Sequence, residues 1–260
     1  MSDTHSHAHA PAAAAAGHRP AAPAEPLDLS EKGGARNGQP QKLDRRLFMQ
    51  LQAFTGCAHP EVLTPLLDGA GIEGVLYEDL NDPRGVALLT MAEDPSVFIS
   101  KVRPLLNKGA FAALTPKLDC AMIGRTYSIG YEPNLEDWLL QRPKRVALDT
   151  MSPWAVWYPL RRTGEFSRLS HQEQGQILKE HGIIGRQFGE AGLAQDIRLA
   201  CQGLDKNDND FVIGLVGKEL FPLSALVQTM RPTQQTSRYI EKMGPFFVGR
   251  ALWRSRGAGE

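Results

Sequence analysis

The chain has 260 residues, 42% of them hydrophobic, and 29 basic side chains against 29 acidic ones. That is enough for a sizeable core in one large domain or two small ones, and the balanced charge provides no field to steer the chain toward nucleic acid. No apolar run reaches the roughly 20 residues of a membrane span, and Cys57, Cys120 and Cys201 stand too far apart for a CxxC metal site or a disulfide framework, so a reducing, cytoplasmic setting is expected.

Residues 1–42 are rich in Ala, Pro, Gly and Ser, with almost no large apolar side chain apart from Leu27 and Leu29, and read as a disordered tail unable to offset its ordering entropy. The start MSDTHSH is not basic and Ala12 to Ala16 make a poor apolar region, so a signal peptide is not expected. His5, His7, His9 and His18 can catch a divalent metal, although capture by such a segment is more often adventitious.

From about Asp44 the hydrophobic period sorts the chain into strands (period two) and helices (period 3.6). The first half gives a strand at Phe48–Thr55, a helix at Pro60–Ala70, strands at Glu73–Leu80 and Gly85–Met91, a helix at Pro95–Leu106 and a strand at Cys120–Tyr131. A polar connection follows, carrying Trp138 and the basic run Arg142–Arg145. The second half repeats the order with Trp154–Leu160, helix His171–Glu190, Leu193–Cys201, Phe211–Gly217, helix Pro222–Met230 and Phe246–Leu252. Matching starts lie roughly 105 to 125 residues apart, which points to a duplicated βαββαβ unit. The expected fold class is α+β: two fused ferredoxin-like units forming a dimeric α+β barrel-like subunit. The N-terminal unit with its connector would span 43–150 and the C-terminal unit 151–260. In each unit both helices cover one face of an antiparallel sheet, and two sheets packed face to face would cover the other.

The second half holds the unusual residues. On helix 171–190, Ile177, His181, Ile184 and Phe188 share one stripe, so an imidazole lies on the buried face and needs a partner, a backbone carbonyl or a metal. Tyr158 lies on the strand face of Trp154 and Val156, near the strand's end, as a half-buried tyrosine with a wet hydroxyl or as a reactive group. Arg161 and Arg162 follow it and suit planar carboxylates unless they simply cap a solvated strand end. In GLAQDIRLACQG, Asp196, Arg198 and Ala200 alternate with Gln195, Ile197 and Leu199, so a charged pair faces either water or a polar pocket. Pro232 should end or kink the last helix, after which Thr236, Ser237, Arg238 and Tyr239 can gather with Arg231 around an acidic ligand, although a helix C-terminus also attracts Arg for its dipole alone.

Taken in order, YPLRR at 158–162, EHGIIGR at 180–186, GLD at 203–205, and MRPTQQTSRY followed by GPFFVG at 230–249 resemble the chlorite dismutase and coproheme decarboxylase superfamily. The resemblance is good over Trp154–Arg250; the first half matches in element order, with the stretch from Arg125 to Ser128 and the basic run after it as weaker echoes. It implies a ring-shaped homo-oligomer, often a pentamer, and a haem b or coproheme (iron porphyrin) in the C-terminal unit. His181 matches the axial iron ligand, and Tyr158 the tyrosine whose radical attacks a propionate. Arg162, standing where relatives usually carry Lys, together with Arg231, Thr236 and Tyr127, matches contacts to the propionates. The implied reaction is peroxide-driven oxidative decarboxylation in porphyrin biosynthesis, releasing carbon dioxide and leaving a vinyl group, with the cofactor supplying the chemistry. On the opposite face of the iron the family uses an Arg or a Gln. Here Gln195, Asp196 and Arg198 all compete for that place, and a bulge between His181 and Gly203 would rotate Gln195 into it. An inward Arg198 would instead favour chlorite as substrate, and haem binding without turnover is the third reading.

Overall fold

The computed structural model describes residues 26–256. The histidine-rich residues 5–18 lie outside this range. Part of the expected tail is nevertheless structured, because β1 (Glu31–Arg36) and β2 (Gln39–Leu43) form a hairpin. Asn37 and Gly38 turn it with φ of 52° and 76°, the left-handed pair favoured in tight hairpins. The hairpin docks through polar groups rather than an apolar face. Gln41 donates to the carbonyls of Gly34, Glu132 and Pro133 and accepts from Leu135 N, while the Glu132 carboxylate gathers the amides of Ile129, Gly130 and Tyr131.

The first half then runs β3 (Phe48–Thr55), α1 (Thr64–Asp68) entered through a 3-10 turn, β4 (Glu73–Asp79) and β5 (Val86–Ala92). A π turn leads into α2 (Arg103–Leu106), followed by α3 (Gly109–Ala112), the short β6 (Thr115–Pro116) and β7 (Met122–Thr126). The strand expected over 120–131 thus stops at Thr126; beyond it the Ser128 amide donates to Glu31 and those of Ile129, Gly130 and Tyr131 to Glu132. The expected polar connection is in fact helical from Asp137, with a π turn leading into α4 (Arg142–Leu148). Its Leu139, Leu140 and Ala147 enter the core, a stripe that the basic run obscured.

The second half comprises β8 (Trp154–Arg162), α5 (Gly164–Arg168), α6 (His171–Glu190), β9 (Gln195–Ala200) and β10 (Phe211–Gly217). It ends with α7 (Leu220–Met230), α8 (Gln234–Tyr239), β11 (Ile240–Met243) and β12 (Phe247–Arg254). Strand β8 runs two residues further than expected. It changes partner from β12, along 154–157, to β11, along 160–162, and Pro159 falls in the interval.

Spatial order is β7-β3-β5-β4 in one half and β12-β8-β10-β9 in the other, each the 4-1-3-2 order of a split βαβ unit. The halves join through β4–β12 and β7–β9, so the two sheets do not merely stack face to face but close into one antiparallel ring, the barrel-like form expected. Inside it lies the main core, including Leu51, Tyr77, Leu89, Trp157, Leu199 and Phe247. Gly214 makes room there: a Cβ on it would lie 2.5 Å from the Trp157 ring. Helices cover the outer faces. The face of the second half, formed by Val156, Tyr158, Leu160 and Leu215, packs against Ile184 and Phe188 of α6 and Leu223 and Leu226 of α7.

Candidate functional site

Helix α6 forms where the pattern demands it. Ser170 Oγ accepts from Glu173 N, and the Glu173 carboxylate accepts from Ser170 N, a closed capping box of the kind whose cap contributes about 1 kcal/mol. At the other end Gly192 takes φ +68°, and Leu193 N returns to Phe188 O, which stops the helix. Between these ends Ile177, Ile184 and Phe188 pack inward, and His181 lies half-buried on the same stripe. Its Nδ1 lies 3.2 Å from Thr233 Oγ1, on the turn between α7 and α8. Burial, followed by the Arg162 and Arg198 charges, holds the imidazole down at about 4, so at neutral pH it carries no charge.

The sheet beneath presents its side chains in cross-strand rows. Ile213 of β10 lies opposite both Tyr158 and Arg198, and Leu215 opposite both Val156 and Asp196. Directly opposed residues share a face, so Tyr158, Arg198 and Asp196 all project to the α6 side. Tyr158 is buried, 7% exposed, and stacks on Phe246 with ring centres 4.6 Å apart. Burial and the Asp196 charge push its phenol well above the ordinary range, against the opposing pull of Arg231, so it stays protonated. Arg231 itself is exposed at the C-terminus of α7.

Arg162, on the same face, is sandwiched between aromatic rings, with its guanidinium carbon 4.4 Å from the centre of Phe166 and 4.6 Å from that of Phe211. Its Nε is buried without a partner among the described residues, and Asp210 spends Oδ2 on the Arg162 backbone N–H. Burial lowers this guanidinium's affinity for its proton, which marks a cation still short of an anion. Arg161 points elsewhere and donates to Asn207 O. Tyr127, just past β7, packs its ring 5.5 Å from Phe211 and feels both Arg162 and Arg198. Thr236 is buried in the first turn of α8, its hydroxyl 3.2 Å from that of Thr233.

The three residues competing for the opposite side of the site separate here. Strand β9 pairs with β10 without a register shift from Gln195 to Ala200, so the expected bulge is absent. Gln195 stands opposite Val216, a residue of the ring's interior, and its amide is held by Arg142 and the Gly189 carbonyl. Asp196 bonds to Arg142 Nη2 and Arg198 Nε, both at 2.9 Å, and both guanidiniums lie over the Trp138 ring. Burial would raise the Asp196 pKa, but the two arginines outweigh it and hold the carboxyl below its usual range.

Sequence reasoning missed Thr233, Phe166, Trp138 and Arg142. Only Thr233 carried a signal, as a Thr directly after a proline and ahead of a helical run, the place of an N-cap.

The donor set suits an iron porphyrin. Among the described residues no cluster of three or more His, Cys, Asp or Glu is arranged for a bare metal ion. A single neutral imidazole instead fits an iron whose other ligands come from a ring, and an unpaired guanidinium fits that ring's carboxylates.

The chain is similar to several known proteins. Residues 138–252 match the family model for chlorite dismutase. A stretch of 105 residues is 29% identical to the coproheme decarboxylase of Staphylococcus carnosus (strain TM300); it covers 39% of this chain and about two fifths of the length of that relative. A heme-binding protein from Thermus thermophilus superposes with a TM-score of 0.63 at 18% identity, over 80% of this chain and 92% of its own. Chlorite dismutase from Candidatus Nitrospira defluvii gives 0.63 at 14% identity over the same shares. No helix among the described residues is long and apolar enough to cross a membrane.

Proposed function

With a chlorite dismutase family domain over residues 138–252 as the premise, we propose that this chain is a haem-dependent oxidoreductase that decarboxylates coproheme propionates to yield haem b. The observation that carries this reading is the unpaired Arg162 guanidinium, on the same sheet face as Tyr158 and close enough to His181 to lower its pKa. A carboxylate-bearing ring with an iron centre answers both needs at once.

When bound, the iron porphyrin supplies peroxide-driven oxidising power. His181 holds the iron through its neutral ring. Arg162 and Thr236 take propionate carboxylates, with Tyr127 and Arg231 at the edge of the site, which fixes the substrate against the catalytic phenol. Tyr158, protonated and buried, would give up its phenolic hydrogen atom and then take one from a propionate side chain, whose carbon radical would pass a second electron to the peroxide-derived oxidant as carbon dioxide leaves and vinyl remains. Stacking on Phe246 keeps the ring from turning away. Asp196 offsets one of the two charges of Arg142 and Arg198 and tethers both guanidiniums.

Incubating purified protein with coproheme and peroxide and following the porphyrins by mass spectrometry tests this reading. Loss of propionate mass with formation of haem b is expected, and coproheme left intact overturns it. Chlorite decomposition is the second reading, favoured by Arg198 on the site face; its tether to Asp196 weighs against it. Oxygen release from chlorite tests it. A homo-oligomer, with the pentamer as the family's usual form, is part of the proposal, and light scattering reads it directly.

A further inference from the structure

The hydroxyl of Thr233 faces several partners and has a single proton to give. Its Oγ1 lies 2.7 Å from the Met230 carbonyl oxygen, 3.2 Å from His181 Nδ1, 3.2 Å from Thr236 Oγ1 and 3.4 Å from Thr236 N. A carbonyl oxygen can only accept and a backbone N–H can only donate, so the short contact to Met230 takes the hydroxyl proton and leaves Oγ1 as an acceptor. Thr233 is 1% exposed, so water does not compete for it. Nδ1 of His181 therefore has to be the donor.

We infer that Thr233 is a positioning residue: its hydroxyl, turned into a one-way acceptor by the Met230 carbonyl, holds His181 as the Nδ1–H tautomer with the Nε2 lone pair directed away from α8. The inference rests on the proposed role of His181 as iron ligand. A neutral hydroxyl cannot draw the Nδ1 proton as a carboxylate would, so the ligand stays an imidazole with little imidazolate character. The same contact anchors α8. Gln234 N donates to Glu180 Oε2 at 2.9 Å, beside the His181–Thr233 bond, so consecutive residues of α6 hold consecutive residues at the start of α8. Tyr239 at the far end of α8 packs edge-on against Phe166, whose other neighbour is the Arg162 guanidinium. Thr233 thus links the orientation of the ligand to the footing of the carboxylate-binding arginine.

The test begins on protein without porphyrin. Nitrogen NMR of His181 should show the Nδ1–H form, whereas free histidine in water prefers Nε2–H. Thr233→Val should lose that preference, and Thr233→Ser should restore it. With haem bound, Thr233→Val should weaken affinity about 10- to 100-fold and shift the iron–histidine stretching band and the reduction potential, while Thr233→Ser stays near wild type. Glu180→Ala loosens α8 but leaves the hydroxyl in place, so it should not move the band, and the loss of its charge beside His181 should show in the potential alone. A predominant Nε2–H form in the wild type overturns the inference, even where Thr233→Val does not fold. So does a Glu180→Ala variant that copies Thr233→Val. If the tautomer is as inferred but His181→Ala binds haem unchanged, the proposed ligand fails while the role of Thr233 on the imidazole stands.

Discussion

Tyr158 and Arg198 stand in one cross-strand row, each directly opposite Ile213, on the sheet face that helix α6 covers. Two strand spacings separate them, roughly 10 Å, which puts a protonated phenol and a tethered guanidinium on one floor beneath His181.

Tyr158→Phe keeps the stack on Phe246 and removes only the hydroxyl. It should shift stability by less than about 1 kcal/mol and leave porphyrin affinity near wild type, while decarboxylation stops. Turnover at the wild-type rate in a mass-spectrometric assay sinks the radical role of this residue.

Arg162→Met removes a cation that has no anionic partner among the described residues. Without porphyrin, the melting temperature should hold or rise, because a half-buried charge disappears and its apolar stem is kept. Coproheme affinity should fall roughly 10- to 100-fold, the worth of a charge-assisted bond. A porphyrin without carboxylates should bind both proteins alike, and equal loss with that ring contradicts the assignment.

Asp196→Asn leaves Arg142 and Arg198 without their shared carboxylate. The side chains are about a third exposed at Asp196 and Arg198, so the cost near neutral pH is about 1 to 3 kcal/mol rather than that of a fully buried pair. The carboxyl is held below its unfolded value in the folded state, so the unfolded chain binds the proton first. The stabilisation is fully present above the unfolded carboxyl value and is lost as pH falls through the folded one. Urea melts should therefore show the wild type and Asp196→Asn converging on acidification, and a constant difference down to strong acid contradicts the ion pairs.

Gln41→Ala cuts the polar bonds that hold the N-terminal hairpin to the loop 132–135. The expected cost is about 2 kcal/mol, with faster amide exchange at Leu135 and cleavage of the hairpin by protease. An unchanged exchange rate at Leu135 contradicts the docking.

Helix α6 was legible to the residue because three local signals agree there: the cap at Ser170, the stripe from Ile177 to Phe188, and Gly192 at the stop. The limits of β10 were equally plain from its apolar run. The hairpin at 31–43 was not, because it docks through Gln41 and Glu132 and shows no hydrophobic period; the Asn37-Gly38 pair was its one clue. Which strand edges close the barrel was invisible for another reason. Pairing Arg125 with Ala200, or Tyr77 with Ala251, leaves no trace in local sequence. At the site, strand parity put Asp196 and Arg198 together on one face, but whom they bond depends on Arg142 and Trp138, which arrive from a helix that read as a loop.

The two joints of the ring differ in extent. Strands β4 and β12 pair from Val75 to Asp79, with one bulge between Ala251 and Trp253, whereas β7 and β9 share only Arg125–Ala200 and Thr126–Leu199, where Gly124 lets Leu199 approach closely. The ring is therefore closed by one long seam and one short one. Tyr127 and Arg198 come directly after the last pair of the short seam, which Trp138 stitches by donating to the Tyr127 carbonyl and lying under the Arg198 guanidinium. The short seam thus rests on side chains as much as on its two backbone pairs.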